Sequence, residues 1–488
     1  MRQRAIRVSL AAMGLCWMAA AEPLLVLHMD FNSVQMKKEV VVDCLRTAAA
    51  AGYNAVLWEV ENKIRWETCQ ECVHHDAFTK GEFRSILDEA DRLGLRPIPL
   101  MQTFGHAEYV LLHERRRGLL EDPSFPSCYC VSRPEARSFL KALLHEYLEL
   151  FGDRVKDFHL GGDEAVVFGT CPICRKRDKM ELYAEHLLAV SEELRARGVR
   201  PGVWCDMILK AGETGTAKIP RDFTIWHWDY AYGLPGRNDA SWSGKTDLLQ
   251  RLGFEVIFTP STSSCGDGPF LPRYRHHGVN VAAAAALARK EKFRGLCVTS
   301  WSVHPIPKAL QYPLWEFAAK RYLAPGADEE RDFSDCLVRQ FGPVSPDCLR
   351  TLTEWDSEFS AFDGRFWRPP MKCCIPAPPG HLKMVMDGKL KDDPAAITNL
   401  VLAVDRRASV LKSALAEVRK VSDGGTSAKL LAEGAELSIS YLDELRSALS
   451  RQDFNDRVVG RSEVYFATWM QPYAAKEVAR SIWSVLSR

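Results

Sequence analysis

Between residues 24 and 325 the chain alternates short apolar runs with amphipathic stretches, and this rhythm limits its fold more than any other feature. The runs at 24–31, 55–60, 96–102, 155–160, 199–206, 223–228, 254–259 and 295–300 read as strands. Helical patterning falls at 37–51, 80–93, 134–150 and 179–197, and stretches at 276–291 and 308–323 flank the last strand. Gly52, Gly94 and Gly198 stop three of these helices, as glycine does just past the last periodic residue. Eight strands alternating with helices over roughly 300 residues is the count for an α/β fold of the (β/α)8 TIM-barrel type. The competing arrangement is an open doubly wound sheet. No G-x-G-x-x-G or G-x-x-x-x-G-K-[ST] follows any strand, so a nucleotide-binding version has no support. Pro97 and Pro99 are awkward for a central strand.

The pattern changes after residue 325. Residues 368–381 are rich in proline and form no regular helix. Beyond them Ile397, Leu400, Val404, Leu411, Leu415 and Val418 recur at helical spacing, as do Leu430, Leu437, Tyr441, Leu445 and Ala448. Such stripes are core more often than binding surface. At the other end, Arg2, Arg4 and Arg7 precede the nearly all-apolar stretch 8–21, which closes on Ala19-Ala20-Ala21. That is the pattern of a secretory signal peptide. The expected division is a signal peptide over 1–21, a barrel over 22–325 and an α-helical C-terminal region over 326–488, in a secreted or periplasmic protein. No other stretch is long and apolar enough to span a membrane. Lys and Arg number 64 against 63 Asp and Glu, so the basic excess typical of nucleic-acid binders is missing.

Working residues of a TIM barrel sit at the C-terminal ends of its strands. Strand two ends in Trp58-Glu59-Val60-Glu61, and strand three runs into Phe104-Gly105-His106. Strand four gives His159-Leu160-Gly161-Gly162-Asp163-Glu164, and strand five gives Trp204-Cys205-Asp206. Strand six gives Trp228-Asp229-Tyr230, and strand eight leads to Trp301. The fourth end says most. Two glycines allow a sharp turn, and two neighbouring carboxylates at a rim push one another toward holding a proton. That is what a general acid beside a charged partner needs. With Trp204, Trp228 and Trp301 near other strand ends, the residues favour glycoside cleavage.

This set resembles glycoside hydrolase family 20, the β-N-acetylhexosaminidases. The stretch from His159 to Glu164 looks like the family's H-x-G-G-D-E signature. Gly52-Tyr53-Asn54 and Phe104-Gly105-His106 also resemble family positions, and Cys171-x-x-Cys174 makes the chain most similar to the hexosaminidase D-like branch. The resemblance covers residues 24–325. It implies substrate-assisted hydrolysis of terminal, non-reducing N-acetylhexosamine residues with retention, an exception to the two-carboxylate rule, and no cofactor. Glu164 would be the acid/base. Asp163 would orient the 2-acetamido group, whose oxygen attacks the anomeric carbon. Trp204, Trp228 and Trp301 would wall the sugar, and Tyr230 or Tyr232 would donate to the acetamido oxygen. His106 and His159 would orient the rim carboxylates. Asp30, Glu59, Glu61 and Asp206 would share the sugar hydroxyls. The partner would be a glycan or glycoconjugate carrying N-acetylhexosamine.

The chain departs from the family in two places. No arginine follows strand one, where Asp30-Phe31-Asn32-Ser33 stands, and no acid follows Trp301, where Ser302-Val303 stands. The gluco or galacto preference is therefore open. Cysteine adds another question. Of 15 cysteines, Cys16 lies in the signal segment, and Cys69-x-x-Cys72 and Cys171-x-x-Cys174 are paired. Brought together, Cys69, Cys72, Cys171 and Cys174 would make a four-cysteine structural zinc site; disulfides or free thiols are the alternatives. Cys44, Cys205 and Cys297 read as buried thiols. Two other functional classes stay open: a carbohydrate-binding protein without turnover, and a zinc-dependent hydrolase.

Overall fold

A computed structural model describes residues 23–32, 34–235, 245–264, 267, 270–302, 306–353, 394–421 and 426–451. The expected signal segment 1–21 and the proline-rich stretch 368–381 lie outside them. All eight expected strands form: β1 (Leu24–Asp30), β2 (Ala55–Glu59), β3 (Arg96–Leu100), β4 (Asp157–His159), β5 (Arg200–Trp204), β6 (Thr224–Trp228), β7 (Glu255–Thr259) and β9 (Gly295–Ser300). They pair in parallel in that order, and β9 returns to β1, with Val26 opposite Cys297. The closed barrel removes the open-sheet alternative. A short extra strand, β8 (Ser261–Ser263), pairs only with β9.

The two prolines of β3 are accommodated by register. Arg96 turns its N–H toward Asn54 on the β2 side, so Pro97 and Pro99 lack donors only on the β4 side. There the ladder is the single pair of Leu100 with His159, beyond both prolines. Gly52-Tyr53-Asn54 is a fastening. Gly52 ends the helix Lys38–Ala51 in the left-handed conformation at φ 100°. The Tyr53 hydroxyl donates to the Trp315 carbonyl at 3.0 Å, and Asn54 accepts from the Leu25 N–H at 2.9 Å.

Alternate residues of each strand face the barrel axis, and they stack in three layers. The floor is charged. Asp157 meets Arg96 at 3.0 Å and Arg294 at 2.6 Å, and Glu255 pairs with Arg200 and Arg294. The middle is apolar, formed by Leu24, Val26, Ala55, Leu57, Ile98, Leu100, Trp204, Trp226, Ile257 and Cys297. The mouth is polar, with His28, Asp30, Glu59, Gln102, His159 and Asp206 all buried there. Strand ends are held shut at that mouth. The Ser302 N–H donates to Asp30 Oδ2 and its hydroxyl to the Asp30 carbonyl, both at 2.7 Å, while Lys308 donates to the Ser300 carbonyl at 2.6 Å.

Helices Lys80–Arg92, Pro134–Phe151, Lys179–Val190, Tyr274–Lys290 and Tyr312–Leu323 are among those that surround the strands. The described part of 326–451 is helical: Glu329–Phe341, Pro346–Thr353, Pro394–Val421 and Thr426–Arg451. Val404, Leu411, Leu415, Val418 and Leu430 of the expected stripes are buried. Among the described residues no helix is long and apolar enough to cross a membrane.

Candidate active site

The β4 turn builds the site. Gly161 and Gly162 take φ of 66° and 90°, and a Cβ on Gly162 would stand 2.5 Å from the Tyr183 hydroxyl. Tyr183 donates to the Gly162 carbonyl at 3.0 Å, and the Gly161 N–H donates to His159 Nδ1 at 3.0 Å. This turn presents Asp163 and Glu164 at the mouth with different exposures, 10% for the Asp163 side chain and 43% for Glu164. Gly105 lets the β3 loop approach closely, because a Cβ there would lie 2.2 Å from the Asp163 carbonyl. His106 Nε2 is thereby placed 3.0 Å from Asp163 Oδ2 and 3.3 Å from Glu164 Oε2. One imidazole spans both carboxylates. Glu61, His106 and Glu164 hold left-handed φ of 38°, 54° and 42°, a strained choice for residues with side chains and one that clusters at working sites. They follow β2, β3 and β4 in turn.

Asp206 supports the same loop from below. It is fully buried, accepts the Glu164 N–H at 3.1 Å and pairs with Lys210 at 3.1 Å. Burial, and then the Asp163 charge, push its carboxyl up to about 6 against the pull of Lys210. Glu59 is also fully buried, with one oxygen 3.0 Å from His28 Nε2 and the other accepting from Gln102 at 2.9 Å. Both residues are expected from the sequence to meet sugar hydroxyls. In the structure both Glu59 oxygens are engaged, while Asp206 holds the framework through Oδ2. Asp30 is engaged likewise, by the Ser302 and Asn32 N–H groups. Burial and the Glu59 charge raise its carboxyl, and burial lowers Lys308 to about 8. The end of strand one is thus absorbed into barrel closure.

His159 is fully buried. It orients the Gly161 turn and packs against Trp204 at 4.3 Å and Trp226 at 5.1 Å. Burial drives its imidazole down to about 3, so it stays neutral. Trp204 lies in the apolar layer, while Trp228 and Trp301 are half-buried above it. Trp301 is 6.0 Å from Trp204 and donates its indole N–H to the Tyr230 hydroxyl at 2.8 Å. Tyr230 stacks on Trp228 at 5.3 Å. These four rings make one continuous aromatic wall. Among the described residues Trp204 Nε1 and Asp206 Oδ1 are buried without hydrogen-bond partners. Tyr232 packs on Phe258 instead. Sequence reasoning missed His28, Gln102, Tyr183, Lys210 and Lys308. His28 carried one signal, an inward polar residue two places before Asp30.

The expected four-cysteine set does not assemble. Cys69 and Cys72 are bonded to each other. Cys171 and Cys174 gather instead with Cys130 and Glu121. The second pair meets Cys130 from a separate hairpin, at 3.7 Å from Cys171 Sγ and 3.8 Å from Cys174 Sγ. Cys44, Cys205 and Cys297 are buried free thiols.

Residues 57–263 match glycosyl hydrolase family 20, catalytic domain. Hexosaminidase D of Homo sapiens is 28% identical over 293 residues, 56% of this chain and 59% of its own length. Hexosaminidase D of Bos taurus is 26% identical over 293 residues, 56% of this chain and 83% of its own. The chain therefore spans somewhat more than half the human relative. The Flavobacterium johnsoniae chitobiase structure superposes with a TM-score of 0.52 at 13% identity, over 94% of this chain and 78% of the other; it shares the fold. The signature turn, the barrel that carries it and the matched residues agree: over residues 57–263 this chain is similar to the family 20 catalytic domain, and over 293 residues it is similar to hexosaminidase D.

Proposed function

We propose that this chain is a retaining β-N-acetylhexosaminidase that removes terminal, non-reducing N-acetylhexosamine by substrate-assisted catalysis. The observation that carries the reading is the unequal pair on the β4 turn, a shielded Asp163 and an open Glu164 joined by His106. The shielded carboxylate suits a charge that must stay fixed. It accepts the acetamido N–H, turns the acetamido oxygen toward the anomeric carbon and stabilises the positive charge that develops on nitrogen. The open carboxyl suits proton traffic. Glu164 gives its proton to the glycosidic oxygen as the C1–O bond breaks and the acetamido oxygen bonds to C1. It then takes a proton from the water that opens the oxazolinium ring, so the configuration is retained. A nucleophile within the substrate supplies the high effective molarity of an intramolecular reaction.

The wall of Trp204, Trp228, Tyr230 and Trp301 suits a sugar face and an acetamido methyl, and the Tyr230 hydroxyl is the donor we assign to the acetamido oxygen. The reaction draws on no cofactor, because acid, base and nucleophile all come from protein and substrate. The basic and then apolar start of the chain supports export from the cytoplasm. The test is turnover of an aryl N-acetyl-β-glucosaminide and its galacto epimer beside the matching aryl β-glucoside. Cleavage of an acetamido substrate alone is expected. Equal cleavage of the glucoside would mean an enzyme-borne nucleophile, and binding without turnover of either acetamido sugar would make the chain a lectin-like barrel.

A further inference from the structure

We propose that Glu121, Cys130, Cys171 and Cys174 form a closed, structural zinc site that ties the β3 loop to the β4 loop. All four residues are buried, and their donor atoms lie within 4.8 Å of one another. The spacing fits a metal and not a bond. Cys130 Sγ is 3.7 Å from Cys171 Sγ and 3.8 Å from Cys174 Sγ. A disulfide needs about 2.05 Å, whereas sulfurs bound at about 2.3 Å on the corners of a tetrahedron stand about 3.8 Å apart. The carboxylate is aimed. Glu121 Oε1 accepts the N–H groups of Thr170 at 2.8 Å and Cys171 at 3.0 Å, which directs Oε2 to within 3.3 Å of Cys174 Sγ. The Cys174 N–H points at Cys171 Sγ at 3.3 Å, a contact that supports a thiolate.

Charge gives an independent argument. Glu121 is 2% exposed, and among the described residues no Lys, Arg or His forms an ion pair with it. A buried carboxylate is ordinarily paired or bound to a metal. Three thiols beside it offer no counter-charge, and a divalent cation does. Soft sulfur donors in a tetrahedral set select zinc among common divalent ions. Four protein ligands leave no open position for water, which separates this site from a catalytic zinc.

The two loops it joins are those that meet at the mouth. Glu121 and Cys130 lie diagonally across a hairpin bridged at Leu120 and Tyr129, with Glu121 opposite Cys128 and Cys130 opposite Leu119, in the loop that carries His106. Cys171 and Cys174 follow Asp163 and Glu164 in the β4 loop. The metal would hold His106 against the two carboxylates whatever substrate the site takes, so the inference does not depend on the proposed reaction.

The test is elemental analysis of the untagged full-length chain, purified with zinc supplied and then desalted. About one zinc per chain is expected, released by a mercurial in step with thiol modification. Cobalt(II) substitution is expected to give the visible bands of a tetrahedral thiolate site. Cys171→Ser and Glu121→Gln should each lose most of the metal, and Cys69→Ser should keep it. If Cys171→Ser does not fold, the cobalt spectrum of the wild type decides alone. Metal below about a tenth of an equivalent, an octahedral cobalt spectrum, or a disulfide among Cys130, Cys171 and Cys174 by intact mass would overturn the proposal.

Discussion

The two ends of the barrel treat charge in opposite ways. At the floor every carboxylate meets arginine: Asp157 lies between Arg96 and Arg294, and Glu255 between Arg200 and Arg294. At the mouth Asp163 and Glu164 share one histidine, and Asp206 lies buried beneath them with a carboxyl pushed up to about 6. Opposite charges in contact serve folding. Like charges gathered around few cations raise proton affinity and leave carboxylates ready to act. The difference follows strand direction, since loops leaving the C-terminal ends can gather groups from several strands.

The sharpest break in that comparison is chemical. Glu164→Gln should lower turnover of substrates with poor leaving groups by at least about 10²-fold and spare activated aryl substrates more. Asp163→Asn should slow both kinds alike, by about 10²- to 10³-fold. Wild-type rates from either folded variant on poor leaving groups would end the assignment. The floor should respond in the other currency. Asp157→Asn leaves Arg96 and Arg294 facing each other, and roughly 2 kcal/mol of stability should be lost, less than for a fully buried pair because Arg96 is partly exposed. Its turnover per folded molecule should stay within about twofold; a large loss of turnover would mean that the two ends are coupled.

His106→Ala should reduce kcat about tenfold with little change in KM, because its Nε2 faces both carboxylates and would position them. Partial rescue by His106→Gln is expected, and a change confined to KM would contradict that role. The smallest effect concerns Asp206. Its folded value near 6 lies above the ordinary 3.8. The folded protein therefore keeps a proton that the unfolded chain releases, and this group's contribution to stability is greatest at low pH and falls as pH rises from about 4 through 6. Asp206→Asn removes that dependence. Urea melts should show the variant gaining on the wild type by on the order of 1 kcal/mol between about pH 4 and 7; a gap that does not change with pH would show that the charge is not the cause.

Much of this was legible in the sequence. The strand rhythm predicts all eight barrel strands, because a short apolar run between amphipathic stretches is a local property of the chain. The helix starting at Lys80 is equally local, capped by Thr79 and Glu82 acting on each other's N–H groups. Glycines 161 and 162, with two acids after them, mark a sharp turn for the same reason. The helix expected over 179–197 is interrupted at Ser191, which periodicity does not register. Residue type alone also does not show that Glu59, Asp206 and His159 are buried against partners from other parts of the chain.

What the sequence by itself determined is the order and kind of elements and the turn that bears the acids, since each depends on neighbours a few residues apart. Tertiary structure decided which groups meet. His106 reaches Asp163 across 57 residues of chain, and Cys130 joins Cys171 rather than Cys69. Such pairings depend on loop paths, on where a closed barrel brings its strand ends and on which donors burial leaves available. No local pattern encodes them.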